Sequence, residues 1–516
     1  MAAMNELTAM QAACWSGRSV PGPLGGVAAH LYVEFDGRDI DPVRLRQALA
    51  RAGERHPMLR LRVDDDGTPS IMPPDASPAL EIDDLRALTE AAAAAHLLDK
   101  RQRWTHQRLD LAAGQCARFS LSLHGGGCRL HVDTDMVAID PASFCLLMED
   151  LAALYDRPEQ PLPAAPSWPA WRERERCDPE LGRLRERDRQ WWQARAGDIP
   201  PAPTLPAAPP GPPRSHRLAA ILSPDEHRAL KRLARGHSIT QATLMLGLFS
   251  LVLARHTGDR RFRLNVPTFW RNPLVANVER IVGDFANVTI LGVELEDADS
   301  PAALCARIGA QMGELLAHAA WPGVNVMRSL SRARGGAQLA PVVVTAALDL
   351  PGGMLLSPRV GRLFGEMNWA ISQGPQVALD AQFAAVERGL LVNWDIRLDA
   401  LPEAWVTAMF DDFIGIARGI AADPQAFGRP LPGPVAAPPD DATARRVLAI
   451  YRDVLAPDPR GLPPDVGDFI RLGLRPRHLK TLSLRLCDEF GVMLEAAQLL
   501  RCRDAADVAR LLDAGR

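Results

Sequence analysis

A chain of 516 residues, 47% hydrophobic and 23% charged, has the composition of a folded globular protein with material for more than one core. Its formal net charge of -3 gives no electrostatic footprint for nucleic acid or an acidic membrane surface, so neither is expected as a partner. The eight cysteines (Cys14, Cys116, Cys128, Cys145, Cys177, Cys305, Cys487 and Cys502) form no CxxC pair and no metal-ligand spacing, which predicts a reducing, cytoplasmic setting without a metal. Glu6 and the missing basic flank argue against a signal peptide. The longest apolar run, Ala242 to Ala254, is too short to span a bilayer and predicts a buried helix.

In chain order, Ala29 to Phe35 predicts a strand with Ala29, Leu31, Val33 and Phe35 on one face. Helical spacing with an Asp cap follows over Asp41 to Arg51, and Met58 to Val63 returns to strand. Phe119 to Val137 holds two strand-like runs broken at Gly125-Gly126-Gly127. Pro141 to Tyr155 is helical, with Phe144, Leu147, Leu151 and Leu154 on one stripe, and the charged run Trp171 to Arg195 predicts one solvated helix. The proline-rich stretch Ile199 to Pro213 cannot be a helix or an inner strand, because proline lacks the donor and fixes φ. It separates segments 1–198 and 215–428, with 199–214 as linker.

The second segment repeats the grammar. Helices are expected at Pro224 to His237, capped by Ser223, at Gln241 to His256 and at Ala302 to Ala319. Strands are expected at Arg263 to Val266, Pro341 to Leu348, Val377 to Phe383 and Leu390 to Asp395. Two α/β lobes are the fold-level expectation. A linker over 429–441, rich in proline from Pro430 to Pro439, precedes a tail over 442–516. Its helices at Thr443 to Leu455, Pro476 to Phe490 and Ala505 to Leu512 suit a small α-helical bundle.

Chemistry-bearing residues concentrate in Leu130-His-Val-Asp-Thr-Asp-Met-Val-Ala-Ile-Asp-Pro-Ala-Ser143, where Asp135, Asp140 and Ser143 fall at DxxxxDxxS spacing. Other stretches follow in order: Glu6-Leu-Thr-Ala-Met-Gln11 through Gly17-Arg18, Arg55-His56-Pro-Met-Leu59-Arg60, and Leu264-Asn-Val-Pro-Thr-Phe-Trp-Arg271. Then come Ile281-Val-Gly-Asp-Phe-Ala-Asn287, Pro341-Val-Val-Val-Thr345, Ile371-Ser-Gln-Gly-Pro-Gln-Val-Ala-Leu-Asp380 and Leu391-Val-Asn-Trp-Asp395. Together they resemble the motifs of heterocyclization domains of nonribosomal peptide synthetases, a branch of the condensation-domain superfamily. In that branch DxxxxDxxS replaces the HHxxxDG of ordinary condensation domains. The resemblance runs from residue 5 to residue 425.

The resemblance implies two chloramphenicol-acetyltransferase-like lobes in a V-shaped arrangement. It also implies a two-stage reaction. The amine of a carrier-bound Cys, Ser or Thr attacks an upstream acyl thioester, and its side chain then attacks the new amide as water is lost to give a thiazoline or oxazoline. By the same resemblance Asp380 and Thr345 carry the proton chemistry, Asp135 lies nearer the reacting groups, and Asp140 pairs with Arg271 in an architectural role. The residues themselves leave other readings open. Asp380 follows the apolar Val377-Ala378-Leu379, where an ionised carboxylate is costly, but it also suits a strand end. Thr345 fits β propensity alone, and Ser143 fits a helix cap. His131 and Asp135 form HxxxD, yet the motif register puts Met136 at the catalytic-histidine position. Cys14, Gly374 and Ala346 depart from the usual Tyr, Thr and Ser. The last two remove hydroxyls, which keeps condensation without ring closure, or a noncatalytic carrier-docking scaffold, as alternatives.

The tail resembles a peptidyl carrier protein through Asp468-Phe-Ile-Arg-Leu-Gly473 and Glu489-Phe-Gly-Val492. In this register Pro476 stands where a carrier bears its phosphopantetheine serine. Proline is comfortable in a first helical turn, Leu479, Leu482, Leu486 and Phe490 keep an apolar stripe, and Ser483 lies two turns in. A degenerate carrier with no covalent cofactor is therefore expected. Both substrates would arrive in trans on the phosphopantetheine arms of partner proteins, an upstream acyl carrier and a downstream aminoacyl carrier, with siderophores a common outcome for such domains.

Overall fold

The computed structural model describes residues 6–19, 24–208, 211–296, 299–348, 353–431, 433, 478–499, 502 and 505–514, with 443, 446, 447, 450, 451 and 454 between them. Contacts divide the chain into two units. One is Met1–Leu401 with Asp412–Pro432; the other is Pro402–Asp411 with Gly433–Arg516.

In the first unit, β1 (His30–Gly37) is central rather than half-exposed. Val33 and Phe35 face a core shared with the Pro42–Arg55 and Pro141–Asp156 helices, while Tyr32 and Glu34 are equally buried on the other face. It pairs on one side with β6 (Gly127–Asp135), which continues to β5 (Ala117–His124) and the parallel β4 (Leu80–Asp84). On its other side lies β11 (Glu366–Gln373), from far along the chain, with His30 opposite Gln373. By pairing, residues 366–373 thus belong to the sheet of the first segment.

A second sheet has the order β7 (Ser215–Leu222), β13 (Gly389–Arg397), β12 (Leu379–Val386), β10 (Val342–Ala347), β8 (Arg261–Thr268) and β9 (Asn287–Glu294). The chain leaves β11 at Gln373, turns through Gly374-Pro375-Gln376 and enters β12. Pro375 packs so tightly on Gly17 that a Cβ there would lie 2.5 Å from its ring. Gln376 adopts φ 66°, and its N–H donates to Leu24 O at 2.7 Å. The Gln241–Thr257 helix is buried from Thr243 to Ala254, and no single described helix is long and apolar enough to cross a membrane.

Two expectations change. The charged run is two helices, Trp168–Cys177 and Pro179–Arg195, because Asp178 caps the second with Pro179 at its first position. They are not wholly solvated either: Trp168, Trp171, Asp188 and Trp192 are buried. Met58 to Val63 begins as a 3-10 turn, Pro57–Arg60, and only Leu61–Val63 is strand.

In the second unit, the Leu479–Phe490 helix turns Leu479, Leu482, Leu486 and Phe490 into a core with Val447, Tyr451, Leu499, Val508 and Leu512. The Ala505–Ala514 helix supplies the last two. Ser483 donates to Leu494 O at 2.5 Å, which commits its hydroxyl to the fold. Pro476 and the Asp468 to Gly473 stretch lie outside the described residues.

The loop after β8 reaches back to the first core, where Ile281, Val282 and Phe285 are buried. Trp168 Nε1 donates to Asp284 O at 2.9 Å, and a Cβ on Gly283 would lie 1.9 Å from Trp168 Cδ1. Gly283→Ala is expected to destabilise the fold by about 1–3 kcal/mol through overpacking. Urea or thermal unfolding reads this; an unchanged midpoint would mean that Trp168 yields.

Candidate active site

Register gathers the site. β12 and β13 run antiparallel with Asp380 opposite Asp395 and Gln382 opposite Asn393. The parallel β10 puts Thr345 opposite Gln382, and β7 puts Arg217 opposite Asp395. Facing residues share a face and side chains alternate, so all six lie on one side of the sheet.

Thr345 Oγ1 donates to Asp380 Oδ1 at 3.0 Å. Gln382 Nε2 donates to Asp380 Oδ2 at 2.7 Å and to Asp395 Oδ2 at 2.9 Å. Arg217 grips Asp395 with both arms at 2.6 Å, and the Ser372 N–H of β11 adds a bond of 2.7 Å. Four donors, two of them on a guanidinium, occupy the Asp395 carboxylate. Among the described residues Asp380 has only a hydroxyl and an amide as donors, and the residue is partly buried.

Withdrawal from water, then the Asp395 charge beside it, raises the Asp380 carboxyl from the usual 3.8 to about 7, against the pull of Gln382, Thr345 and Arg217. A carboxyl poised there can both give and take a proton near neutrality. Asp380 is the second residue of β12, which continues to Val386, so it does not terminate the strand.

The DxxxxDxxS residues are placed differently. Asp140 caps the Pro141–Asp156 helix, accepting from Ser143 N–H at 2.6 Å and Phe285 N–H at 2.7 Å. Ser143 does not cap that helix. Its hydroxyl accepts from Arg271 Nη2 at 2.9 Å and Gly283 N–H at 3.2 Å. Arg271 also donates to Glu279 O and Ile281 O and covers the Phe285 ring at 4.5 Å. The expected Asp140–Arg271 pair is therefore indirect: Ser143 stands between them, because Asp140 is filled by backbone N–H groups. Burial raises the Asp140 carboxyl despite the nearby guanidinium.

Asp135 is fully buried, ion-paired with Arg18 at 3.1 Å, and accepts from Val137 N–H at 2.9 Å. It bonds to neither Asp380 nor Thr345; its partners are Arg18 and the Val137 backbone. His131 is also a core residue. Tyr32 Oη at 2.8 Å and Ser122 Oγ at 3.2 Å flank its ring, and burial first, then neighbouring cations, lower it to about 2.

Sequence reasoning assigned no role to Arg217, Gln382, Asp395 or Gln373. Gln382 was within reach, since it stands two residues from Asp380 and must share its strand face. Arg217 was not, because only the register of β7 on β13 brings it in. Gln373 Nε2 donates to Thr105 O at 2.8 Å and Ser215 Oγ at 2.6 Å, binding β11 to β7. At Gly374 a Cβ would meet only Val377, at 3.4 Å, so its missing hydroxyl is not a steric necessity.

With this geometry in place, comparison with known proteins is decisive on family. The Condensation domain profile matches residues 2–346, and the chain belongs to the condensation-domain family. It is 40% identical over 432 residues to phenyloxazoline synthase MbtB of Mycobacterium bovis, covering 83% of this chain and 30% of that protein. Pyochelin synthetase PchF of Pseudomonas aeruginosa is 34% identical over 480 residues, covering 90% of this chain and 26% of that one. The chain thus spans about a third or less of these relatives' length. The cyclization-docking bidomain of the synthetase EpoB from Sorangium cellulosum superposes with a TM-score of 0.73 at 27% identity, over 81% of this chain and 84% of that one.

A raised carboxyl value makes a stability prediction. Ionising Asp380 in the fold carries no penalty below its ordinary 3.8; the penalty grows with pH and is complete above about 7. Asp380→Asn should therefore unfold level with the wild type near pH 4 and later than it above roughly pH 7, by on the order of a few kcal/mol. A difference that shrinks as pH rises would contradict the burial of a working carboxyl.

Proposed function

We propose that this chain performs the heterocyclization step of nonribosomal peptide synthesis. Condensation comes first: the amine of the carrier-bound acceptor attacks the donor thioester, forms an amide and frees the donor's thiol. The acceptor's side chain then attacks the amide carbonyl. That side chain gives up one proton and the amide nitrogen another, and both leave as water with the former carbonyl oxygen. Asp380 moves these protons with Thr345 as its hydroxyl partner. The observation that carries the reading is the Thr345–Asp380 hydrogen bond on a carboxyl raised to about 7. The likeness to a phenyloxazoline synthase and to a cyclization bidomain supports it.

An oxazoline carries ring oxygen, so the MbtB likeness favours Ser or Thr over Cys as acceptor, and its phenyl group favours an aryl acyl donor. Residues 1–198 and 215–428, joined by 199–214, are proposed as the two lobes, with β11 crossing between their sheets. The eight free cysteines support work in the reducing cytoplasm. Both carriers are proposed to be other than the tail over 442–516, whose serine position holds Pro476.

Reconstitution with aryl-loaded and Ser-, Thr- or Cys-loaded carriers tests the reading by intact mass. The wild type should yield product lighter by one water, whereas Asp380→Asn should stop at the linear amide. Linear product from both proteins would leave condensation alone. Separately, a phosphopantetheinyl transferase with coenzyme A should leave the mass of this chain unchanged, and a gain of one arm would make its tail a working carrier.

A further inference from the structure

The amide of Gln382 can sit only one way round. Its oxygen accepts from Asn393 Nδ2 at 2.7 Å and Arg217 Nη2 at 3.4 Å, while its nitrogen faces the carboxylates of Asp380 and Asp395. Flipping it would set oxygen against two carboxylates and an NH2 group against two donors. Arg217 and Asn393 in turn are held by the register of β7 and β13. Gln382 therefore presents its N–H to Asp380 Oδ2 as a fixed feature of the sheet.

The two oxygens of Asp380 then differ. Oδ2 faces a permanent donor and is a poor seat for a proton. Among the described residues Oδ1 meets only the Thr345 hydroxyl, which can donate or, on rotating, accept. We propose that Gln382 is a positioning residue for ring closure, immobilising Oδ2 so that Asp380 exchanges protons through Oδ1 and the Thr345 hydroxyl. This rests on the heterocyclization reading above and adds to it which edge of the carboxyl works and what holds it.

Gln382→Met removes both donors without adding charge. In the reconstituted carrier assay it should lower the turnover of ring closure by about tenfold to a hundredfold, the scale of a lost alignment, with KM for the loaded carriers unchanged and linear amide formed at the wild-type rate. Losing an N–H that favours the ionised carboxylate should also move the Asp380 limb of the ring-closure pH profile to higher pH. A residue that merely supported the fold would shift no limb. Asn393→Ala, which removes one restraint on the amide, should show the same split and the same direction to a smaller extent. It decides the matter if Gln382→Met melts before the assay temperature. Ring closure by both variants at wild-type rate and pH profile overturns the positioning role while leaving the heterocyclization reading intact. A wild type that makes only linear product overturns both.

Discussion

Two carboxylates and one guanidinium share a single sheet face, and the electrostatics of that face rest on how they pair. Asp380 and Asp395 stand opposite one another across a strand pair, and Arg217 spends both arms on Asp395. Two negative charges at neighbouring positions, partly out of water, cannot both ionise cheaply. The Arg217 guanidinium occupies Asp395, and burial beside that carboxylate raises the Asp380 carboxyl to about 7. That division of labour depends on register. A slip of β12 by one residue would send Asp380 to the opposite face and bring the apolar Ala381 and Phe383 to the site.

Register in the second sheet is in turn tied to the first. β11 completes the sheet of β1 and β6, yet its Ser372 N–H reaches Asp395 and its Gln373 side chain reaches Ser215 on β7. Gln373 shares the Thr105 carbonyl with His30, whose other ring nitrogen meets Asp133 at 2.8 Å. Both His30 nitrogens face acceptors, which the imidazolium alone satisfies. Burial works to lower His30, but Asp133 outweighs it and the net direction is upward. A buried charged pair thus sits one ladder position from the strand that touches the site. Any movement of one sheet against the other must break bonds to buried polar groups, which is costly, and the acid site inherits that stiffness.

Much of this was legible in residue order. Helix starts were marked by local chemistry: Asp41 and Ser223 each accept the backbone N–H groups their positions promised. The Asp178-Pro179 boundary carried the same signal, but a continuous charged run concealed it. Asp380 and Thr345 were found by resemblance and came together as expected. What residue order did not carry was pairing at long range. Nothing within Glu366 to Gln373 says that its partner is β1, more than 300 residues earlier, and the cation that holds Asp395, Arg217, lies 178 residues before it in the chain. Motif spacing located Asp380 and Thr345; only sheet register supplied Arg217, Gln382 and Asp395 around them.

The same distinction bears on the DxxxxDxxS stretch, whose side chains bond chiefly to buried backbone and guanidinium groups. Asp140 and Ser143 satisfy three buried backbone donors of the Phe285 loop and the helix start, besides the Arg271 guanidinium. Asp135 neutralises Arg18, whose other nitrogen is held by Leu109 O at 2.6 Å. An unsatisfied buried donor costs about 1–3 kcal/mol, and a buried charge stripped of its partner about 3–5. Asparagine at 140 would offer one acceptor where two are used, and leucine none. A strict spacing of acids in a strand-turn-helix segment is therefore what joining distant backbone segments demands. Asp380 is the contrast: among the described residues its carboxyl meets one hydroxyl and one amide, and no backbone donor fills it.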